Sequence, residues 1–353
     1  MMAWRAYYVS TFSGIEAASV AWAPLGWVPV CFSEIDPFPS AVLEERFPSV
    51  PNLGDITRID WSDLSGFVDI VVGGSPCQSF SIAGNRKGLS GESGLMWEYV
   101  RAVRELRPEW LLWENVPGAL SSSHGEDFRC LLESLDALGY GLAWRVLDAQ
   151  FFGVAQRRER LFLVGHLGDV EGPCEVLFEP DCLRWDPPSS REKRKELAAG
   201  AGGGAAYAGF CAGNTAGAGS IGYQEEVSPT LRGSGSGTNM VPTMLAFAAN
   251  QRGEVRLQGG DGEVCGAIPA SQSGKQVQGV TDGCAVRRLT PRECERLQGF
   301  PDDWTKVPYR GKPADECPDT PRYRAIGNSM AVPVMGWIGK RIQEVMDREE
   351  TGE

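Results

Sequence analysis

Cys77 and Glu114 are the two side chains of this 353-residue chain whose settings suggest joint chemistry. Cys77 lies in Gly73-Gly74-Ser75-Pro76-Cys77-Gln78-Ser79-Phe80-Ser81, directly behind the run Val68-Asp69-Ile70-Val71-Val72. A short apolar run stopped by paired glycines has the pattern of a buried parallel strand. At the carboxyl end of such a strand, a rigid Pro-Cys turn points a thiol into the crevice where open α/β sheets hold their ligands. Most cysteines are small buried hydrophobes. The setting argues otherwise here, because Glu114-Asn115-Val116 ends the next strand and opens on the same crevice. Together they supply a soft nucleophile and a carboxyl group that burial would keep protonated near neutral pH.

A second set of residues suggests a nucleoside ligand. Phe12-Ser13-Gly14-Ile15-Glu16 forms the turn of the first strand-turn-helix unit, with one glycine where a dinucleotide fingerprint has three. Glu34 follows Gly14 by 20 residues, at the end of the second strand, where an acid can accept hydrogen bonds from both ribose hydroxyls. Ile35 could then cover a face of an adenine. Asp55, in Asn52-Leu53-Gly54-Asp55-Ile56, could accept a bond from its amino group. Few phosphate-holding glycines beside a good ribose acid point to an adenosyl ligand without pyrophosphate. S-adenosylmethionine (SAM) fits better than NAD, and Glu16 would repel a pyrophosphate while tolerating a sulfonium cation.

Positioning these residues requires an α/β framework. Residues 6–10, 29–33, 68–72, 110–113, 144–147 and 161–165 read as strands. Residues 17–23, 37–47, 95–106 and 127–138 read as helices. Such alternation predicts an open, mostly parallel, doubly wound sheet with helices on both faces. Composition changes near residue 198: residues 200–283 hold 20 of the 44 glycines but only 10 charged residues. This stretch predicts a smaller, irregular domain of short strands and long loops. Order returns at Thr290-Pro291-Arg292-Glu293, with an N-cap, a proline at the first helical position and a capping-box acid. A final helix is expected over 336–347, with an acidic, frayed tail at 347–353.

Composition also excludes. Net charge is -12, which taken alone argues against a partner coated in phosphate. Ten cysteines without any CxxC, beside only His124 and His166, argue against a structural zinc site. No metal is expected, and the cysteines read as reduced residues of a cytoplasmic protein. No apolar run reaches the roughly 18 residues of a membrane span, so no membrane is expected. The N-terminus lacks the charged-then-apolar order of a signal peptide.

With these motifs in hand, the sequence resembles the cytosine-C5 DNA methyltransferases from end to end. Phe12-Ser13-Gly14-Ile15-Glu16 is similar to the family's SAM-binding first motif, with Glu16 where many members carry glycine. Glu34-Ile35-Asp36, Gly54-Asp55-Ile56, Gly74-Ser75-Pro76-Cys77-Gln78 and Glu114-Asn115-Val116 follow in the family's order. Gln156-Arg157-Arg158-Glu159-Arg160 is similar to its QxRxR element. Arg288-Leu289-Thr290-Pro291-Arg292-Glu293 with Leu297-Gln298-Gly299-Phe300-Pro301 is similar to its ninth motif, and Gly327-Asn328-Ser329-Met330-Ala331-Val332-Pro333 to its tenth.

The resemblance implies a SAM-binding Rossmann-like domain over 1–169, completed by 322–346, and a target-recognition domain over 170–321. It implies SAM as cofactor, with S-adenosylhomocysteine as product. Phe12, Gly14, Ile15, Glu34, Ile35, Asp55, Ile56, Pro76, Asn328 and Ser329 would hold the cofactor. Cys77 would attack C6 of a flipped-out cytosine, Glu114 would act at N3, and Arg158 and Arg160 would anchor O2. Gln78, Ser81 and Lys87 are implied nucleic-acid contacts, the last in a Gly-rich loop that closes on DNA. The implied partner is double-stranded DNA, with a cognate restriction endonuclease as a further candidate and a monomer as the expected state. Three other readings compete: cytosine-C5 methylation of transfer RNA, a catalytically silent DNA-binding paralogue, and an amino-methyltransferase built on Asp186-Pro187-Pro188-Ser189, which lacks the needed aromatic.

Overall fold

In the computed structural model, the described residues are 5–75, 94–154, 156–178 and 290–351, together with the backbone of short strands between 207 and 288. Six strands form the main sheet: β1 (Tyr7–Thr11), β2 (Val28–Ser33), β3 (Ile70–Gly73), β4 (Trp110–Asn115), β5 (Tyr140–Asp148) and β6 (Glu159–Leu167). Their order is β2-β1-β3-β4-β6-β5. The first four run parallel, and β6 is antiparallel to both of its neighbours, β4 and β5. Every residue of β3 and β4 is buried, as central strands covered on both faces require.

Side chains alternate across each strand, so the sheet feeds two cores. Tyr8, Ile70, Val72, Trp110 and Leu112 join Trp22 of α1 (Ala17–Trp22) and the last helix on one face. Val9, Val71, Leu111 and Trp113 join α3 (Leu95–Leu106) and α4 (Glu126–Asp136) on the other. α2 (Pro37–Arg46) follows β2 and starts on Asp36, whose carboxylate caps it, with proline at its first position. The short α5 (Glu171–Leu177) packs on β5.

Residues 290–351 return to the sheet. They form α6 (Pro291–Gln298), α7 (Asp319–Asn328) and α8 (Val332–Thr351). The capping box expected at Thr290 and Glu293 is present. A third core unites Ile15, Ala17, Phe38 and Val42 with Cys294, Leu297, Phe300, Val307, Ala325 and Ile326. Trp304 Nε1 donates to the Ile15 carbonyl at 2.9 Å, and Arg46 Nε donates to the Trp304 carbonyl at 2.9 Å. Residues 290–330 thus brace α2 and the turn behind β1.

Three elements run longer than their hydrophobic patterns indicate. β5 and β6 each have nine residues, because backbone pairing continues through Tyr140, Gly141, Leu142, Ala143 and Asp148 on one strand and Glu159, Arg160, His166 and Leu167 on the other. α8 begins at Val332 and continues to Thr351, its last turns held by an ion pair between Arg348 and Glu175. Between 207 and 288 the backbone forms β7 (Tyr207–Cys211), β8 (Gln224–Glu225), β9 (Pro242–Ala246), β10 (Ala248–Ala249), β11 (Val255–Arg256) and β12 (Val286–Arg288). Four of them pair in the order β12-β9-β7-β8, a second, smaller sheet within the Gly-rich stretch. No helix among the described residues is long and apolar enough to cross a membrane.

Candidate active site

The carboxyl ends of β1, β2, β3 and β4 lie side by side, and most of the chemistry-bearing residues sit there. In the turn after β1, Phe12, Gly14 and Glu16 all have positive φ, at 52°, 56° and 64°. Ser13 Oγ donates to the Ser10 carbonyl at 2.8 Å and accepts from Ser33 N at 3.1 Å, which ties the turn to β2. Gly14 N donates to Glu34 Oε2 at 2.8 Å, and Asp36 N donates to Oε1 at 2.7 Å. Backbone amides therefore orient both oxygens of Glu34, and each oxygen keeps a second lone pair for a hydroxyl group. Burial raises the Glu34 carboxyl above its ordinary value, against the lowering effect of these amides.

Next to Glu34, Ile35 is 69% exposed, an apolar side chain held in solvent at the mouth of the crevice. Asp55 caps the turn Ile56–Arg58: its Oδ1 accepts from Thr57 N at 3.0 Å and Thr57 Oγ1 at 2.8 Å. Those bonds hold its carboxyl below the usual range. The side chains of Ile15 and Ile56 are buried in apolar cores, so a ligand would meet only their backbone. Glu34, the exposed Ile35 and the turn behind β1 fit the ribose and adenine of an adenosyl ligand such as SAM.

At the centre, close approach of strands demands glycine. A Cβ on Gly73 would lie 2.0 Å from Thr11 Oγ1, and one on Gly74 would lie 2.9 Å from Glu114 Oε2. Ser75 is then fixed to the end of β4: Asn115 Nδ2 donates to its carbonyl at 2.9 Å, and Trp113 Nε1 to its Oγ at 3.2 Å. The chain thus leaves β3 against Glu114, two residues before Cys77. Pro76, Cys77, Gln78, Ser81 and Lys87 lie outside the described residues.

Glu114 ends β4 and is buried. Its Oε1 lies 3.2 Å from Arg160 Nε, an ion pair without hydrogen-bond alignment. Burial raises its pKa, while the positive charges of Arg160 and Arg158 oppose the rise. Along 156–160 exposure alternates: Gln156 and Arg158 are buried, Arg157 and Glu159 exposed, Arg160 half-buried. Period two therefore turns Gln156, Arg158 and Arg160 to the inside. Burial and the neighbouring Arg160 lower the Arg158 guanidinium to about 9, against the pull of Glu114.

Arg158 is positioned from two sides. Its backbone N donates to Asp148 Oδ1 at 2.8 Å, and its Nη2 donates to the Ser329 carbonyl at 2.7 Å. Gln298 Nε2 shares that carbonyl at 3.4 Å and donates to the Ile326 carbonyl at 2.9 Å. Ser329 thus meets the site through its backbone, while Asn328 beside it is exposed. Gln298, Asp148, Ser75 and Asn115 carry no assigned role from sequence. Gln298 and Asn115 stand inside quoted motifs, so a signal existed; Asp148 has none.

These positions meet a known pattern. A model of C-5 cytosine-specific DNA methylases matches residues 7–344. The chain belongs to that family. It is 31% identical to the type II methyltransferase M2.BsuMI of Bacillus subtilis strain 168, over 95% of this chain and 75% of that one. It is 35% identical, over 98% of its length, to a protein of Escherichia phage P1 named as a DNA N-6-adenine-methyltransferase, and spans 62% of that protein. In fold it is similar to the crystal structure of S. pombe Dnmt2 methyltransferase, with a TM-score of 0.62 at 16% identity, covering 97% of this chain and all of that one.

Proposed function

We propose that this chain transfers a methyl group from SAM to C5 of a cytosine flipped out of a specific double-stranded DNA sequence, through a covalent bond from Cys77 to C6. The observation that carries this reading is buried Glu114 beside Arg158 and Arg160, with Gly74 packed on it and Ser75 pinned just before Cys77. Cytosine C5 is a weak nucleophile. Attack of the Cys77 thiolate at C6 breaks the ring's aromaticity and makes C5 enamine-like. The electron pair displaced by that attack runs toward N3, where protonated Glu114 donates. Glu114 Oε1 and both amide atoms of Gln156 are buried and have no hydrogen-bond partner among the described residues. Polar atoms in that state cost about 1–3 kcal/mol each, and a base with polar edges would satisfy them. Arg158 and Arg160 would hold O2.

SAM, when bound, supplies the methyl group as a sulfonium electrophile. Phe12, Gly14, Glu34, Ile35, Asp55, Pro76, Asn328 and Ser329 would hold it, with Ile15 and Ile56 contributing backbone. After transfer the C5 proton leaves and the Cys77–C6 bond breaks, restoring the aromatic ring. Target recognition is placed in the variable stretch of about 170–286.

The name of the phage P1 relative raises a second reading, transfer to adenine N6. That reaction uses the lone pair of an exocyclic amine and leaves no task for a nucleophilic thiol or for a protonated acid aimed at a ring nitrogen. Expression in cells lacking both marks, followed by mass spectrometry of the DNA nucleosides and bisulfite sequencing, separates the two. 5-Methylcytosine at one sequence context is expected, and its loss in Cys77→Ala. N6-methyladenine without 5-methylcytosine would overturn the proposal.

A further inference from the structure

Glu16 is a buried titratable group, in the turn proposed to hold the cofactor, that this chemistry leaves without a task. It stands in the turn after β1, 1% exposed, in the left-handed region disfavoured for residues with a Cβ. Its Oε2 accepts from Ser10 Oγ at 2.8 Å on β1. Its Oε1 accepts from Ser19 N at 3.1 Å and Ser19 Oγ at 3.0 Å on α1. The carboxyl therefore caps α1 and cross-ties strand to helix. Two other titratable groups face this turn: Tyr8, whose hydroxyl shares a hydrogen bond with Ser19 Oγ at 2.5 Å, and Glu34, which reaches Gly14 N from the end of β2. No lysine or arginine forms an ion pair with Glu16 among the described residues. The turn thus holds two carboxyl groups, and Glu16 has no counter-cation.

We propose that Glu16 senses the charge of the cofactor: it releases its proton to solvent when cationic SAM binds and keeps it when the neutral thioether product binds, so the turn favours SAM over S-adenosylhomocysteine. This rests on the SAM reading above. The two ligands differ by one methyl group and one positive charge, and shape alone separates them poorly. A buried carboxyl without a cation favours its neutral form, and an arriving cation favours the charged one. Burial raises the Glu16 carboxyl to about 7, so both forms are populated near neutral pH.

The test is calorimetric titration of the full chain with SAM and with S-adenosylhomocysteine at pH 7, in buffers of different ionisation enthalpy. SAM is expected to release roughly half a proton more than its product does. The α-amino group is more acidic in SAM, beside its sulfonium, than in the product, so the same pair of titrations on Glu16→Gln measures that contribution and is subtracted. Between pH 6 and 8 the affinity for SAM should rise roughly five- to tenfold relative to the product. Glu16→Gln keeps an acceptor for Ser19 N and can donate to Ser10 Oγ, so it should bind SAM with Glu16's share of the extra release abolished. Equal proton release by the two ligands on the unaltered protein overturns the proposal, however the variant behaves, and so does the same excess in both proteins. Failure of both ligands to bind removes the SAM reading and this proposal with it.

Discussion

Glu114 is pulled in two directions, by burial toward the neutral acid and by Arg158 and Arg160 toward the carboxylate. Burial is the larger effect, so the folded protein holds this proton to higher pH than a free glutamate does. If the neutral acid donates to the base, single-turnover methyl transfer falls as pH rises through that raised value. Glu114→Gln should lose this alkaline limb and slow transfer by about 10²–10⁴-fold, the usual range for a positioned acid. A near-normal single-turnover rate in the variant would count against the role. Glu16 carries a stability consequence. Its carboxyl titrates near 4.5 when unfolded and near 7 when folded. Between those values the folded state holds more protons, so stability falls as pH rises across the window. The loss is on the order of 3 kcal/mol. Urea unfolding at pH 5 and pH 7.5 should show that fall in the natural protein and a flatter profile in Glu16→Gln. At this scale the sequence was informative where chemistry demands a residue type. Glu114 and Glu34 could be named because strand ends and spacings locate them, at the carboxyl ends of β4 and β2. Asp148 could not, because it acts through the Arg158 amide that folding alone brings near; Gln298 stands inside a quoted motif, but its task, a bond to the Ser329 carbonyl, shows only in the fold.

Helix starts and strand ends tell the same story one level up. Thr290, Pro291 and Glu293 specify their helix locally, and the capping box forms as the residues dictate. Thr290→Ala should cost about 1 kcal/mol of stability, read as a lower urea midpoint with an unchanged slope. The ends of β5 and β6 were less legible, since polar residues continue a ladder that only cross-strand pairing reveals. Paired glycines after β3 predict a strand stop, and the structure adds a reason. Both stand where neighbouring strands leave no room for a Cβ, one against Thr11 and the other against Glu114. Gly74→Ala should therefore displace the Glu114 carboxylate and lower single-turnover transfer at least tenfold while circular dichroism keeps the native signal. Normal transfer in that variant would mean the crowding is relieved without moving the acid.

Over the whole molecule, the order of motifs made the family legible, but the third core did not show in the sequence. It joins Ile15 to Ile326, and no local pattern announces a contact across three hundred residues. Net charge raises the remaining question, because on the proposed function a chain of -12 would hold a polyanion. Two electrostatic effects compete. The summed charge repels DNA over distances beyond the Debye length, about 8–10 Å at physiological salt, and added salt weakens that repulsion. Local cations that touch phosphates act inside that length, and added salt weakens them through counterion competition. Contact distances are short, so the local effect should dominate. The Gly-rich 200–283 stretch carries only four basic residues against six acidic ones, so few phosphate contacts are expected there. With about three contacts, each lowering the logarithmic slope by roughly 0.9, affinity for non-specific duplex should fall roughly 40-fold over a fourfold rise in salt. Fluorescence anisotropy at 50 and 200 mM salt would measure it. A fall of a thousandfold or more would mean about six phosphate contacts, twice the number assumed, and so basic residues outside the Gly-rich stretch at the phosphates. Affinity that held constant or rose with salt would mean that long-range repulsion governs, and that this chain holds DNA by base contacts or by a partner.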